Sequence, residues 1–136
     1  MADPLYAIEG TRLVPGALTV GPWSADAQHG GPVAALLARA VEQVEAPVHM
    51  QVVRLTVELL RPVPLTPLLV QSVVSRHGKK VQLVEASVFT GGPDGTEVAR
   101  ARALRIRISS IEGVPTDTAE PPAPPPDPSS AAWFSR

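Results

Sequence analysis

One segment with helical periodicity, residues 24–45, constrains the fold of this chain more than any other feature. Apolar residues recur over 33–44 at intervals of three and four, so they line one face of an α-helix. Pro32 precedes this stripe and is favoured in the first helical turn, where its missing N–H costs little. The helix is predicted to end near residues 45–47, because the residue before a proline avoids helical dihedrals.

The chain after the helix shows the two-residue alternation that is typical of β-strands. Four strands are predicted, over residues 51–61, 68–75, 81–89 and 97–108. The first alternates from Val53 onward, and the last places Leu104 on one side and Arg105 on the other. Turn residues at 76–80 and 91–95 favour an antiparallel meander. Since the helix must bury its stripe against one face of this sheet, the predicted class is α+β.

Composition divides the chain into a domain, residues 1–111, and a proline-rich linker or tail, residues 112–136. The prolines of the tail favour stiff, extended backbone. The tail ends in the apolar residues Trp133 and Phe134. Either these residues dock on the domain or the natural chain continues beyond them, and continuation is the expectation because a linker normally joins two folded units.

Overall composition excludes several classes of function. The 136 residues are 44% hydrophobic, which suffices for one domain with a real core, and the net charge is −1. No global field attracts nucleic acid or a membrane. The chain has no cysteine, no histidine pair with metal-ligand spacing and no signal-peptide or transmembrane pattern. We therefore expect a cytoplasmic protein without disulfides, a metal site or a membrane partner.

Polar residues and two glycines lead directly into the helix. Gly30 and Gly31 leave the backbone bare, so a ligand can come close, or they simply allow a sharp turn. Asp26 is expected either to cap the loop or helix start or to orient a water molecule as a base. His29 is expected either to hold the loop together or to contact the substrate.

Two further residues of this loop are candidates for ligand contact. Trp23 either anchors the loop by packing or stacks on a ligand. Gln28 either forms hydrogen bonds within the loop or positions a water molecule and the substrate.

The motifs around this loop resemble those of a known family. His29-Gly30-Gly31, followed by Ala-Leu-Leu-Ala-Arg-Ala, is similar to the helix start of hotdog acyl-CoA thioesterases. Residues 54–64, 78–81 and 94–101 resemble later strands and hairpins of the same proteins. The resemblance covers residues 10–108 and is strongest to the amino-terminal half of a double-hotdog, TesB-like thioesterase. It implies a hotdog fold, in which an antiparallel sheet wraps around one long central helix.

The resemblance also implies a chemistry for the site. Thioester hydrolysis places negative charge on the carbonyl oxygen, and N–H groups at a helix start can stabilise it as an oxyanion hole. The family assigns this role to a glycine at the position of Gly30 or Gly31. Single-hotdog members carry an acid two turns into the helix, where this chain has Ala38 or Arg39. TesB-like enzymes take the acid from a second hotdog, so this chain is expected to hold half of an active site.

The implied substrate is an acyl-CoA, with no cofactor beyond its own coenzyme A. The implied partner is a second hotdog, either a following domain or a homodimer copy. Arg76, Lys79 and Lys80 form a basic cluster that either attracts the phosphates of coenzyme A or is a solvated turn.

The sequence is also compatible with two rival functions. Enoyl-thioester hydratases of this fold use an Asp and a His several residues apart, whereas Asp26 and His29 are only three apart. A non-catalytic hotdog half that binds acyl-CoA or completes a dimer is consistent with Ala38.

Overall fold

A single long helix, α1 (Gly30–Glu42), lies against a six-stranded sheet in a computed structural model that describes residues 3–91, 94–113 and 120–124. The strands are β1 (Tyr6–Glu9), β2 (Arg12–Pro15), β3 (Met50–Leu59), β4 (Leu68–Arg76), β5 (Val81–Thr90) and β6 (Glu97–Arg107). Neighbouring strands are antiparallel, in the order β1-β2-β4-β5-β6-β3. A 3-10 turn (Ala17–Thr19) follows β2. This arrangement confirms the predicted α+β class.

The core forms where the apolar stripe of α1 meets the inner face of β5 and β6. Val33, Leu37 and Val41 of the helix are fully buried. They pack with inner-face residues of the sheet, among them Val84, Val88, Ala99, Ala101 and Ala103. The alanines of β6 leave space for the helix to approach closely, and each large apolar side chain buried here contributes about 1.5–3 kcal/mol. This packing fixes the position of the helix start relative to the sheet.

The carboxyl end of α1 differs from its prediction. The helix ends at Glu42, and Gln43 follows as its C-cap with an N–H bond to the Arg39 carbonyl. The Val44 carbonyl accepts instead from the Nη1 atom of Arg105, at 2.8 Å. The predicted extension to residues 45–47 is therefore wrong: the helix ends before the proline is reached, and a side chain from the sheet holds the residue that follows the C-cap.

Arg105 lies on the inner face of β6, where it is only 4% exposed. The predicted alternation holds, but its polar member faces the helix while Leu104 and Ile106 face outward. Arg105 Nε and the Oε1 atom of Gln82, its cross-strand neighbour, have no hydrogen-bond partner among the described residues. The inner face of the sheet thus carries a buried cation beside the end of α1.

A β-bulge interrupts β3. The register shifts between Val52 and Arg54, so Val53 is an extra residue and its side chain is 48% exposed. Leu55 and Val57 still pack against the core. The simple alternation predicted from Val53 onward is therefore wrong at that residue, which the bulge turns outward.

β1 and β3 are the two edge strands, and β2 joins β4 through a single register pair, Leu13 with Leu68. None of the described helices is long and apolar enough to span a membrane.

The tail residues Trp133 and Phe134 lie outside the described residues, so the division into domain and tail stays a prediction.

Candidate active site

The loop that precedes α1 is fixed on both sides by backbone hydrogen bonds. The His29 N–H donates to the Thr19 carbonyl at 2.7 Å, and the Gln28 N–H donates to the Val63 carbonyl at 2.8 Å. Gly21 donates to the Ala27 carbonyl at 2.9 Å and closes the loop on itself. These bonds hold the start of the helix between the 3-10 turn and the segment that follows β3.

The Gln28 side chain ties three parts of the chain together. Its Oε1 atom accepts from the Tyr6 hydroxyl at 2.6 Å, and its Nε2 atom donates to the Pro64 carbonyl at 2.7 Å. Burial raises the pKa of Tyr6 to about 12, so this phenol remains a hydrogen-bond donor at neutral pH. The oxygen and the nitrogen of the buried Gln28 amide therefore both bond to protein atoms. These bonds fit the structural alternative for Gln28, in which it forms hydrogen bonds within the protein. A contact between Gln28 and substrate stays a prediction.

His29 is the N-cap of α1. Its Nδ1 atom accepts from the Gly31 N–H at 3.0 Å, and its backbone is extended. The indole ring of Trp23 stacks on the imidazole with centroids 5.5 Å apart and an interplanar angle of 13°. Trp23 itself is 84% exposed, so this stack lies at the surface beside the helix start. The geometry gives His29 a positioning role, and its predicted contact with substrate is not tested.

The two glycines of the helix start differ in what their N–H groups do. The Gly31 N–H is engaged by His29, whereas the described hydrogen bonds include none from the Gly30 N–H. A Cβ atom on Gly30 would lie 3.0 Å from Leu59 Cδ1, and one on Gly31 would lie 3.0 Å from His29 Nδ1. Gly30 therefore presents an open donor at the positive end of the helix dipole.

Asp26 lies at the surface of the loop, with its N–H donating to Ser24 Oγ at 3.2 Å. Of the predicted capping roles of Asp26, capping of the helix start is wrong, because His29 occupies the N-cap position, and capping of the loop stays a prediction. A role for Asp26 as a base stays a prediction.

The basic cluster lies at the other end of the molecule. Arg76, Lys79 and Lys80 form the β4–β5 turn, and the Lys80 carbonyl accepts from the Arg107 N–H at 2.9 Å. Arg107 pairs with Met50 at the start of β3, whereas Gly30 approaches Leu59 at its end. Ten strand residues span about 33 Å, so one chain does not bring this cluster to the helix start.

A groove that the sequence pattern did not predict runs between α1 and the β1–β2 hairpin. We call it the hairpin groove; it consists of two adjoining cavities of about 240 and 250 Å³ that share Ile8, Leu13, Leu36 and Arg39. Ala35 lines its apolar part, nearer the helix start. Beside the groove, the hairpin is joined to β4 through a single register pair, Leu13 with Leu68.

The described residues contain no group of three His, Cys, Asp or Glu side chains placed to hold a metal ion. What the site offers chemically is a backbone donor at a helix start, an adjacent imidazole that is already engaged, and a surface carboxylate.

Comparison with solved structures identifies similar folds. A Bacillus halodurans protein crystallised with CoA is 26% identical, with 74% of this chain matching 67% of that chain at a TM-score of 0.60. The PaaI protein of the Escherichia coli phenylacetic acid degradation operon is 19% identical, with 72% and 70% covered and a TM-score of 0.62. A hot dog fold protein from Alicyclobacillus acidocaldarius is 20% identical, with 89% of this chain but 44% of that chain covered, at 0.58.

Among curated proteins, none matches the sequence. The family model of the acyl-CoA thioesterase N-terminal domain matches residues 19–106, which include the capped loop, α1 and strands β3 to β6. This span is more than half of the chain. The protein is therefore a member of the acyl-CoA thioesterase N-terminal domain family, and it has the hotdog fold.

Proposed function

We propose that this chain hydrolyses acyl-CoA thioesters in an active site that a second hotdog unit completes, as in TesB-like double-hotdog enzymes. The observation that carries the proposal is the open Gly30 N–H at the start of α1, beside a Gly31 N–H that His29 already engages. Family membership supports the reaction class.

The Gly30 N–H is suited to stabilise the transition state of thioester hydrolysis. As water adds to the carbonyl carbon, negative charge develops on the carbonyl oxygen, and a donor fixed at the positive end of a helix binds that charge without reorganising. The absence of a Cβ atom at Gly30 lets the oxygen reach the N–H group. Removal of one such donor typically costs a factor of about 10² to 10³ in rate.

The described helix carries no acid two turns beyond this donor. The helix positions two turns beyond Gly30 hold Ala38 and Arg39, and neither can act as a general base at neutral pH. Asp26 remains the within-chain alternative. We therefore expect the carboxylate that activates water to come from the second unit.

The edge strand β3 is the expected site of attachment for that unit. Its outer edge has no paired neighbour in the described sheet, and Val53, Leu59 and Leu60 on or just beyond it are at least 41% exposed. Antiparallel pairing with the β3 strand of a second copy would place Leu59 of one copy near Met50 of the other. The basic turn of the second copy would then lie at the same end as Gly30, about 15 Å away across three strand spacings.

This geometry supports the predicted role of Arg76, Lys79 and Lys80 toward the phosphates of coenzyme A. A following hotdog domain in a longer chain would offer an equivalent edge.

The test is thiol release from a panel of acyl-CoA esters, measured for the wild-type protein and for Gly30→Val. The added side chain meets the flexible end of Leu59, so the variant is expected to fold and to lose about 10²-fold or more in kcat. Circular dichroism and thermal unfolding serve as the control for folding. Full activity of Gly30→Val would refute the oxyanion role.

The rivals give different outcomes in the same experiment. A non-catalytic half would bind acyl-CoA in a calorimetric titration and release no thiol. A hydratase would consume crotonyl-CoA with loss of its conjugated absorbance and leave the thioester intact.

A further inference from the structure

The hairpin groove combines an apolar wall with a cation. Ile8, which is 63% exposed, and Leu13 line it from the hairpin, and Leu36 lines it from the helix. Arg39 lines both of its cavities, and Gln43 lines the more polar one. No Asp or Glu is among the residues that line either cavity. The groove thus suits a ligand that is apolar along its length and negatively charged at one end.

The Arg39 guanidinium is available to such a ligand. Its one described side-chain bond is from Nη1 to the Oε1 atom of Gln43, at 3.1 Å. The described ion pairs are formed by Arg100 and Arg102, on the outer face of the sheet. Arg12 also lines the groove, but Glu9 stands opposite it in the hairpin register and can compete for its charge. We therefore assign the anion contact to Arg39.

Gly30, where the thioester carbonyl is proposed to bind, and Arg39 lie on the same helix, α1. Gly31, Ala35 and Arg39 follow one another at intervals of four residues, and all three are on its exposed side. Nine residues of helix separate Gly30 from Arg39, which is a rise of about 13 Å. Gly31 and Ala35 are small and exposed, so the helix surface between Gly30 and the apolar part of the groove is open to an extended acyl chain.

We propose that the preferred acyl group ends in a carboxylate, so that the substrate is the monothioester of a medium-chain dicarboxylic acid with CoA. Its thioester carbonyl lies at Gly30, its methylene chain lies in the hairpin groove and its free carboxylate binds Arg39. This inference rests on the proposed thioesterase function and specifies the substrate class of the same site.

The test compares suberyl-CoA with octanoyl-CoA, which share chain length and differ in the terminal carboxylate. The wild-type protein is expected to show the higher kcat/KM for suberyl-CoA. Arg39→Ala is expected to lower kcat/KM for suberyl-CoA about tenfold and to change that for octanoyl-CoA less than about twofold. Arg102→Ala, on the outer face of the sheet, is the matched control and is expected to change neither.

Equal use of the two substrates by the wild-type protein would overturn the proposal, as would an equal effect of Arg39→Ala on both. Calorimetric titration with the two non-hydrolysable thioether analogues separates this inference from the thioesterase function. If neither ester is hydrolysed but the carboxylated analogue binds tighter in an Arg39-dependent way, the groove assignment stands and the proposed catalysis fails. Binding without preference, or no binding, would overturn the groove assignment.

Discussion

Replacement of His29 by alanine tests whether the imidazole positions the helix start. The substitution removes the acceptor for the Gly31 N–H, and loss of an N-cap costs about 0.5–2 kcal/mol. It also removes the stack with Trp23, but Trp23 is largely exposed, so that contribution falls near the lower limit of about 0.5 kcal/mol for aromatic pairs. Together these losses predict a decrease of about 1–2.5 kcal/mol in the free energy of unfolding.

The measurement is urea denaturation of the wild-type protein, His29→Ala and His29→Asn. Asparagine is a good N-cap but stacks poorly, so we expect His29→Asn to regain about 1 kcal/mol relative to His29→Ala. For a domain of this size the alanine variant should melt about 3–8 °C lower. A double-mutant cycle with Trp23→Ala isolates the stack, since the two side chains are in contact.

The kcat values of the same variants distinguish a positioning role of His29 from direct participation in the reaction. If His29 only fixes the helix start, His29→Asn retains most of the kcat of the wild-type protein while His29→Ala loses part of it. Equal stability of all three proteins would refute the cap, and equal, complete loss of activity in both variants would refute a purely positional role.

Two further perturbations act on buried polar groups. Because burial raises the pKa of Tyr6 to about 12 from 10.0, stability is retained below pH 10 and falls as pH rises toward 12, since the unfolded chain loses its phenol proton first. Urea unfolding over that range should show a smaller decline for Tyr6→Phe than for the wild-type protein, and parallel declines would contradict the assignment. Arg105→Ala should lower the free energy of unfolding by about 2–4 kcal/mol, because it removes the donor to Val44 and leaves a cavity. Arg105→Met should lose less than half as much, and urea midpoints that rank Met at or below Ala would argue against this packing role.

The periodic elements of this fold could be predicted from sequence because each has a strong and unambiguous repeat. The stripe of α1 runs over three turns, and four strands were predicted to within about two residues at each end. The β-bulge at Val53 could not be predicted. Apolar residues alternate on both sides of it, and no residue type in the local sequence indicates the extra residue. The alternation in β6 predicts that Leu104 and Arg105 lie on opposite faces of the sheet. It does not predict that Arg105 is the one that faces the helix.

The candidate site was predicted less completely, because its geometry depends on side-chain contacts between distant segments. The glycines of the helix start are visible in sequence, but which N–H remains open depends on the rotamer of His29 and its stack with Trp23. The position of the hairpin groove depends on how β1 and β2 attach to β4, which periodicity does not report. The sequence marks Arg39 only as one of two positions where the family resemblance predicts an acid.

The separation of Gly30 from the basic turn within one chain leads to a complementation experiment. Leu59 and Met50 are at opposite ends of β3, so in a two-fold dimer each site would combine Gly30 of one copy with Lys79 and Lys80 of the other. Gly30→Val should lose kcat, and the double variant Lys79→Ala/Lys80→Ala should raise KM for acyl-CoA.

Random exchange of equal amounts of these two chains would give about a quarter of all sites with both elements intact, and thus about a quarter of the wild-type activity at low substrate concentration. Sedimentation analysis of the mixture establishes that the exchanged species is a dimer. A site formed within one chain cannot be restored by mixing, so an activity no higher than the mean of the two variants would exclude the shared site.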